Sequence, residues 1–202
     1  DMRKAIGWWN LVWMTAVAGA MIAMAPMMEN HASMVIVGLG VMNLVAIGVL
    51  PWYSKNPPDH HEVEVVADVS QQYIGLLHGA RVLLPLSYII NGVLSPLLPF
   101  VLAGIAIDIF WQTPIVSIWM LSRVVATALM WQFGSWHGKW SVLWIALLAM
   151  TLGFILILSA WGLLPLTIGL ILLGGGMGIT YYAALYYAMA VGQAEVDAGG
   201  KH

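Results

Sequence analysis

Polar residues are punctuation in this chain, and the text between them is apolar. Six windows near or above 20 residues are long and hydrophobic enough to predict membrane-spanning helices, at about 7–26, 34–53, 73–104, 114–133, 141–160 and 163–191. The third is overlong and is expected to begin as an interfacial turn. Trp8, Trp9, Trp52, Tyr53, Trp111, Trp136, Trp140 and Trp161 fall near the ends of these windows, where amphipathic rings favour the membrane interface. The runs are continuous and lack the period-two alternation of a transmembrane β-barrel. The fold class predicted is therefore all-α: a polytopic membrane protein of six transmembrane helices.

Composition agrees with this solvent. Of 202 residues, 61% are hydrophobic and 8% charged, with a mean hydropathy of +0.89, against roughly 25% charged residues in soluble domains. The net charge of −2 comes with no basic patch, so no nucleic-acid partner is expected. The absence of cysteine removes disulfides, thiol catalysis and thiolate metal sites. Six basic residues, Arg3, Lys4, Lys55, Arg81, Lys139 and Lys201, all fall on one side of the predicted spans, while the loops at 27–33, 105–113 and 160–162 carry none. The positive-inside rule then places both termini in the cytoplasm. The chain opens at Asp1 without a signal peptide and stops at GGKH, which raises the expectation of a piece of a longer protein.

The connections are unequal. SKNPPDHHEVEVVADVSQQ, residues 54–72, is acidic and proline-marked, and reads as a cytoplasmic linker. It divides the chain into two helices at 1–53, the end of an N-terminal bundle, and four at 73–202, the start of a C-terminal bundle. DHHEVE within it has metal-binding residue types, but its adjacent histidines are poorly spaced and no second cluster completes a site; a solvated acidic loop is expected, with no metal and no cofactor.

Inside the spans the chemistry is sparse. GGGMG at 174–178 lacks the flanking strand and the Lys-Ser/Thr of a phosphate loop, and its Gly174 and Gly178 form a small-xxx-small pair for close helix approach or a flexible gating helix. Tyr182 and Tyr186 share a helical face, with Ala183 and Tyr187 on the next; they either pack with a satisfied hydroxyl or line a polar cavity. Ser87, Asn91 and Ser95 make a polar stripe at i, i+4 and i+8, beside Pro85, Pro96 and Pro99. That stripe is either interhelical glue or a face toward water. The sharpest question is Arg123. Counted from Pro114 it lies roughly 14 Å deep, on a stripe with Trp119, Thr127 and Trp131, and a mid-membrane arginine costs about 2.5–3.5 kcal/mol on insertion scales. None of the nine acidic residues lies at the middle of a span. The partner left to it is a backbone carbonyl, an anionic ligand, or a carboxylate on helices outside this chain.

Topology and linker together resemble the major facilitator superfamily, the twelve-helix secondary transporters built from two six-helix halves. The linker at 54–72 would join that family's sixth and seventh helices, making the six spans its helices five to ten. WQFGSWHGKW, residues 131–140, stands where the family repeats its Gly-x-x-x-Asp-Arg-x-Gly-Arg/Lys loop. Gly138 and Lys139 match its end, while Ser135 and Trp136 replace the acid and the arginine. The glycine-rich last span and the tail GQAEVDAGGKH are similar to the tenth helix and following loop of bacterial members. The resemblance implies a transporter, or a large portion of one, in a bacterial cytoplasmic (inner) membrane. It would move a small polar solute, anionic if Arg123 meets it, by alternating access. Arg123, Asn91, Ser87, Tyr182 and Tyr186 are then the candidate solute-binding residues. The partners expected are the lipid bilayer, the solute, and either missing helices of the same protein or neighbouring membrane subunits. A second reading is a non-transporting structural or accessory subunit built on a degenerate transporter scaffold. A membrane enzyme is not expected, because histidine and carboxylate clusters are missing from the spans and only His78 lies within one.

Overall fold

In the computed structural model, which describes residues 2–52 and 71–191, helices account for nearly all of the described residues and no strand occurs among them. The elements are α1 (Met2–Val49), a 3₁₀ turn at Leu50–Trp52, α2 (Gln71–Gly104), α3 (Ile109–Val116), α4 (Ile118–Gln132), α5 (Trp140–Leu158) and α6 (Leu163–Val191). Among the described residues, six segments are long and apolar enough to cross a membrane: Gly7–Met24, His31–Gly48, Tyr73–Gly104, Ile109–Gln132, Trp140–Leu158 and Leu163–Val191. The chain is an integral membrane protein. The linker at 54–72 falls almost wholly outside the described residues, as do DHHEVE and the tail from 192.

Three boundaries differ from the sequence reading. The loop expected at 27–33 is helical on both sides of a single break at His31 (φ −140°, ψ 40°), which divides α1 into two arms. The third span has no interfacial turn; α2 is helical from Gln71, and Pro85, Pro96 and Pro99 are accommodated within it on exposed positions. An exposed face is where a missing backbone donor leaves the inter-helix contacts undisturbed. The fourth span begins at Ile109 rather than Pro114, because Asp108 caps α3 by accepting from the Phe110 backbone N–H at 2.9 Å.

Because both faces of a membrane helix are apolar, residue size rather than polarity selects the packed face. α6 is the axis of the bundle, and its glycines point two ways. A Cβ on Gly178 would lie 2.7 Å from the Arg123 carbonyl oxygen, and one on Gly174 would collide with the backbone of Trp119, so this face seats α4 directly. On the other face, a Cβ on Gly176 would lie 2.8 Å from the Ala146 carbonyl oxygen, and Gly153 of α5 meets Gly169 in the same way at 2.7 Å. α5 answers with buried Leu143, Ala146, Met150, Gly153 and Ile157, alternating three and four residues apart. α2 packs on α5 and α6.

The first arm of α1 lies against α4. Gly7, Asn10, Met14 and Ala18 are buried at helical spacing. Gly7 receives the Trp131 ring, and Met14 Sδ accepts from Thr127 Oγ1 at 3.6 Å, so the two helices run antiparallel. Along the second arm, Val35 is the one buried side chain among those described.

Candidate functional site

Two apolar clusters fill the bundle. One holds Leu76, Leu77, Ala80, Met130, Trp136, Leu143, Tyr182 and Tyr187; the other holds Leu94, Leu98, Leu102, Met150, Ile157, Leu170, Leu173 and Met177. On α2, Ser87 and Asn91 occupy the turns between the two clusters. On α4 those turns carry Arg123 and Thr127, and on α6 Thr180 follows Met177. A polar belt thus crosses the bundle between its two apolar ends. Ser87, Arg123, Thr127 and Thr180 are all buried, as is Asn10 on α1.

Arg123 is the centre of this belt. It stands fourteen residues from Ile109 and nine from Gln132 in the span, about 21 Å and 14 Å along the axis, and only 4% of it is exposed. Its backbone faces Gly178, and its side chain runs between three helices. The guanidinium carbon sits 4.9 Å from the Tyr181 ring centroid and 5.6 Å from that of Trp13, both inside the reach of a cation–π contact. The two rings meet edge to face at 6.2 Å. Trp13 is held in turn by its Nε1, which donates to Asn10 Oδ1 at 3.0 Å.

Aromatic faces stabilise the cation but accept none of its hydrogen bonds. Two desolvated cation–π contacts contribute up to about 2 kcal/mol each, comparable to the insertion cost of about 2.5–3.5 kcal/mol. The donors are a separate matter. Arg123 Nε is buried with no hydrogen-bond acceptor, as is the Thr180 hydroxyl, and an unmet buried donor costs about 1–3 kcal/mol. Among the described acids, Asp108 is exposed and engaged at its own helix cap.

The sequence-derived candidates separate into two places. Arg123, Ser87 and Asn91 share the belt. Ser87 Oγ donates to the Leu84 carbonyl at 2.6 Å, within its own helix, Asn91 is half-buried and Ser95 is exposed. Tyr182 and Tyr186 lie elsewhere, in an aromatic cluster at the end of the bundle formed with Tyr73, Trp136, His137 and Tyr187. There His137 stacks on Tyr186 (4.3 Å, 3° between planes), and Trp136 lies 6.0 Å from Tyr182 and 4.9 Å from Tyr186. Tyr187 Oη accepts from the Gly138 backbone N–H at 3.1 Å, closing the 134–139 turn onto α6. Trp136 is buried rather than interfacial, because this turn folds it inward until Nε1 donates to the Met130 carbonyl at 2.8 Å.

Trp13 and Tyr181 were missed as site residues. Tyr181 carried a usable signal: it continues the Gly174, Gly178 stripe by three residues, onto the face that glycine packing turns toward α4. Trp13 carried none, since its pairing with α4 depends on contacts between distant spans. No cluster of three or more metal-ligating side chains occurs among the described residues. Comparison with protein-family models, curated proteins and solved structures finds no match to this chain.

Proposed function

We propose that this chain is transporter-like, of the major facilitator type, and moves a small polar solute through a site centred on Arg123, with its termini on the cytoplasmic side of a bacterial inner membrane. One observation carries the reading: a mid-span arginine, buried in the belt between two apolar clusters, keeps a donor for which the described residues supply no acceptor. A purely structural arginine would be expected to satisfy its donors on carbonyls or a carboxylate. The glycine faces of α6 also support the reading. They bring α4 and α6 to backbone contact without interlocked side chains, so the helices can shift relative to each other at small steric cost, as alternating access requires.

The test is transport in proteoliposomes against a panel of radiolabelled sugars, amino acids and organic acids. Wild-type protein should accumulate at least one class. Arg123→Ala should abolish that uptake while leaving the yield of folded, monodisperse protein nearly unchanged. Undiminished uptake in the variant would sink the site assignment.

One observation favours the second reading, a structural subunit. The second arm of α1 carries a long apolar surface with Val35 alone buried among its described side chains, as a helix docked on another protein would. That reading expects no flux of any solute, and stable co-purification with a membrane partner.

A further inference from the structure

We infer that the ligand of Arg123 is a small aliphatic monocarboxylate, held in the plane of the guanidinium and flanked by Trp13 and Tyr181. This rests on the transporter reading for its biological role but not for its chemistry.

The argument begins with the unmet donor. Nε is buried without an acceptor, and the planar Nε–Nη edge of a guanidinium matches the two oxygens of a carboxylate in a bidentate pair. The two rings lie 4.9 and 5.6 Å from the guanidinium carbon, and neither supplies Nε with an acceptor. Charge then limits the ligand. Arg81 and Lys139 are exposed and lie outside the belt, so Arg123 is the one basic side chain described at this level. A single buried cation neutralises a single negative charge, and a dicarboxylate or phosphate dianion would leave a second charge uncompensated in a dry site.

Size and polarity come from the walls. Trp13 and Tyr181 beside the guanidinium, with Met14 against Thr127, offer apolar surface to a short hydrocarbon tail. Nε is buried and the Trp13 ring lies 5.6 Å from the guanidinium carbon, so a carboxylate paired with Nε brings a charge beside the indole and should change its fluorescence. A carboxylate side chain would have the same chemistry as a free acid; Asp108, the one acid whose side chain is described, is exposed and engaged at its own helix cap.

The full chain in lipid nanodiscs is titrated with sodium butyrate, sodium succinate, butyramide and sodium chloride. Indole fluorescence is read as wild type minus Trp13→Phe, and calorimetry of the same titrations gives a readout independent of Trp13. Saturable butyrate binding is expected, at least tenfold weaker for succinate and for neutral butyramide, and absent for chloride. Arg123→Gln should abolish it. Arg123→Lys keeps the charge but lacks the planar edge, and should weaken it at least tenfold; it decides the matter if the glutamine variant does not fold. Ser122→Ala should bind as wild type. No saturable butyrate binding by either method, or butyramide binding equally well, overturns the inference and points to a carboxylate supplied by protein. The two readings fail separately. Butyrate binding without flux of any solute sinks transport and leaves the site, whereas flux indifferent to carboxylates sinks the ligand class and leaves transport.

Discussion

Placing one methyl group at residue 174, and then at residue 175, tests the packing of α6 by contrast. At Gly174 a Cβ would meet the Trp119 backbone, with its carbonyl carbon at 2.7 Å and its Cα at 2.9 Å. Ordinary contact begins near 3.4 Å, so α4 must retreat by at least 0.5–0.7 Å along a seam where backbone atoms, not flexible side-chain tips, do the touching. Overpacking of this kind costs about 1–3 kcal/mol, less up to about 1 kcal/mol regained from the helix propensity of alanine. At Gly175 the added Cβ meets only Ser122 Oγ, at 3.4 Å, and the propensity gain stands nearly alone. Gly174→Ala should therefore destabilise the protein by about 1–2 kcal/mol, and Gly175→Ala should be neutral or stabilising by up to about 1 kcal/mol. Reversible unfolding in mixed micelles, followed by circular dichroism across an SDS titration, measures both. Equal shifts of the same sign would refute the claim that α4 and α6 meet backbone to backbone at this seam.

Two further outcomes test the turns. Trp136→Phe keeps the ring among Tyr182, Tyr186 and Tyr187 but removes the donor to Met130, and should cost about 0.5–1.5 kcal/mol in the same unfolding assay. Ala106 follows α2 with φ at 53°, a left-handed conformation that costs an L-residue about 1–2 kcal/mol. Ala106→Gly should consequently stabilise the protein by up to about 1 kcal/mol, after the flexibility of glycine in the unfolded chain is subtracted.

Much of the architecture was legible in hydropathy, because a bilayer demands about 20 apolar residues per helix wherever it is crossed. The spans emerged within a few residues, and the break at His31 falls inside the 27–33 interval expected to separate the first two. The close approach at Gly174 and Gly178 was legible too, since glycine at i and i+4 leaves a groove on one face. The stripe of Ser87, Asn91 and Ser95 was less faithful. Each step of four residues advances 400°, so Ser95 is rotated by about 80° from Ser87, enough to leave the packed face. Arg123 stood out by its cost, but its two rings come from spans far away in sequence, and no local period connects α1 to α4 or Trp13 to Tyr181. Trp136 misled for a related reason: position near a span end favours the interface only when the turn leaves the ring outside.

The guanidinium of Arg123 is flanked by one ring from the first span and one from the last, which sets an order in time as well as in space. During synthesis α1 precedes α4, so the Trp13 face is already made when the arginine is added. The Tyr181 face is not; α5 and most of α6 must still be translated. A nascent chain ending before Tyr181 holds its most costly residue beside half of its aromatic enclosure, and the second ring is contributed by the helix whose glycines also close the bundle.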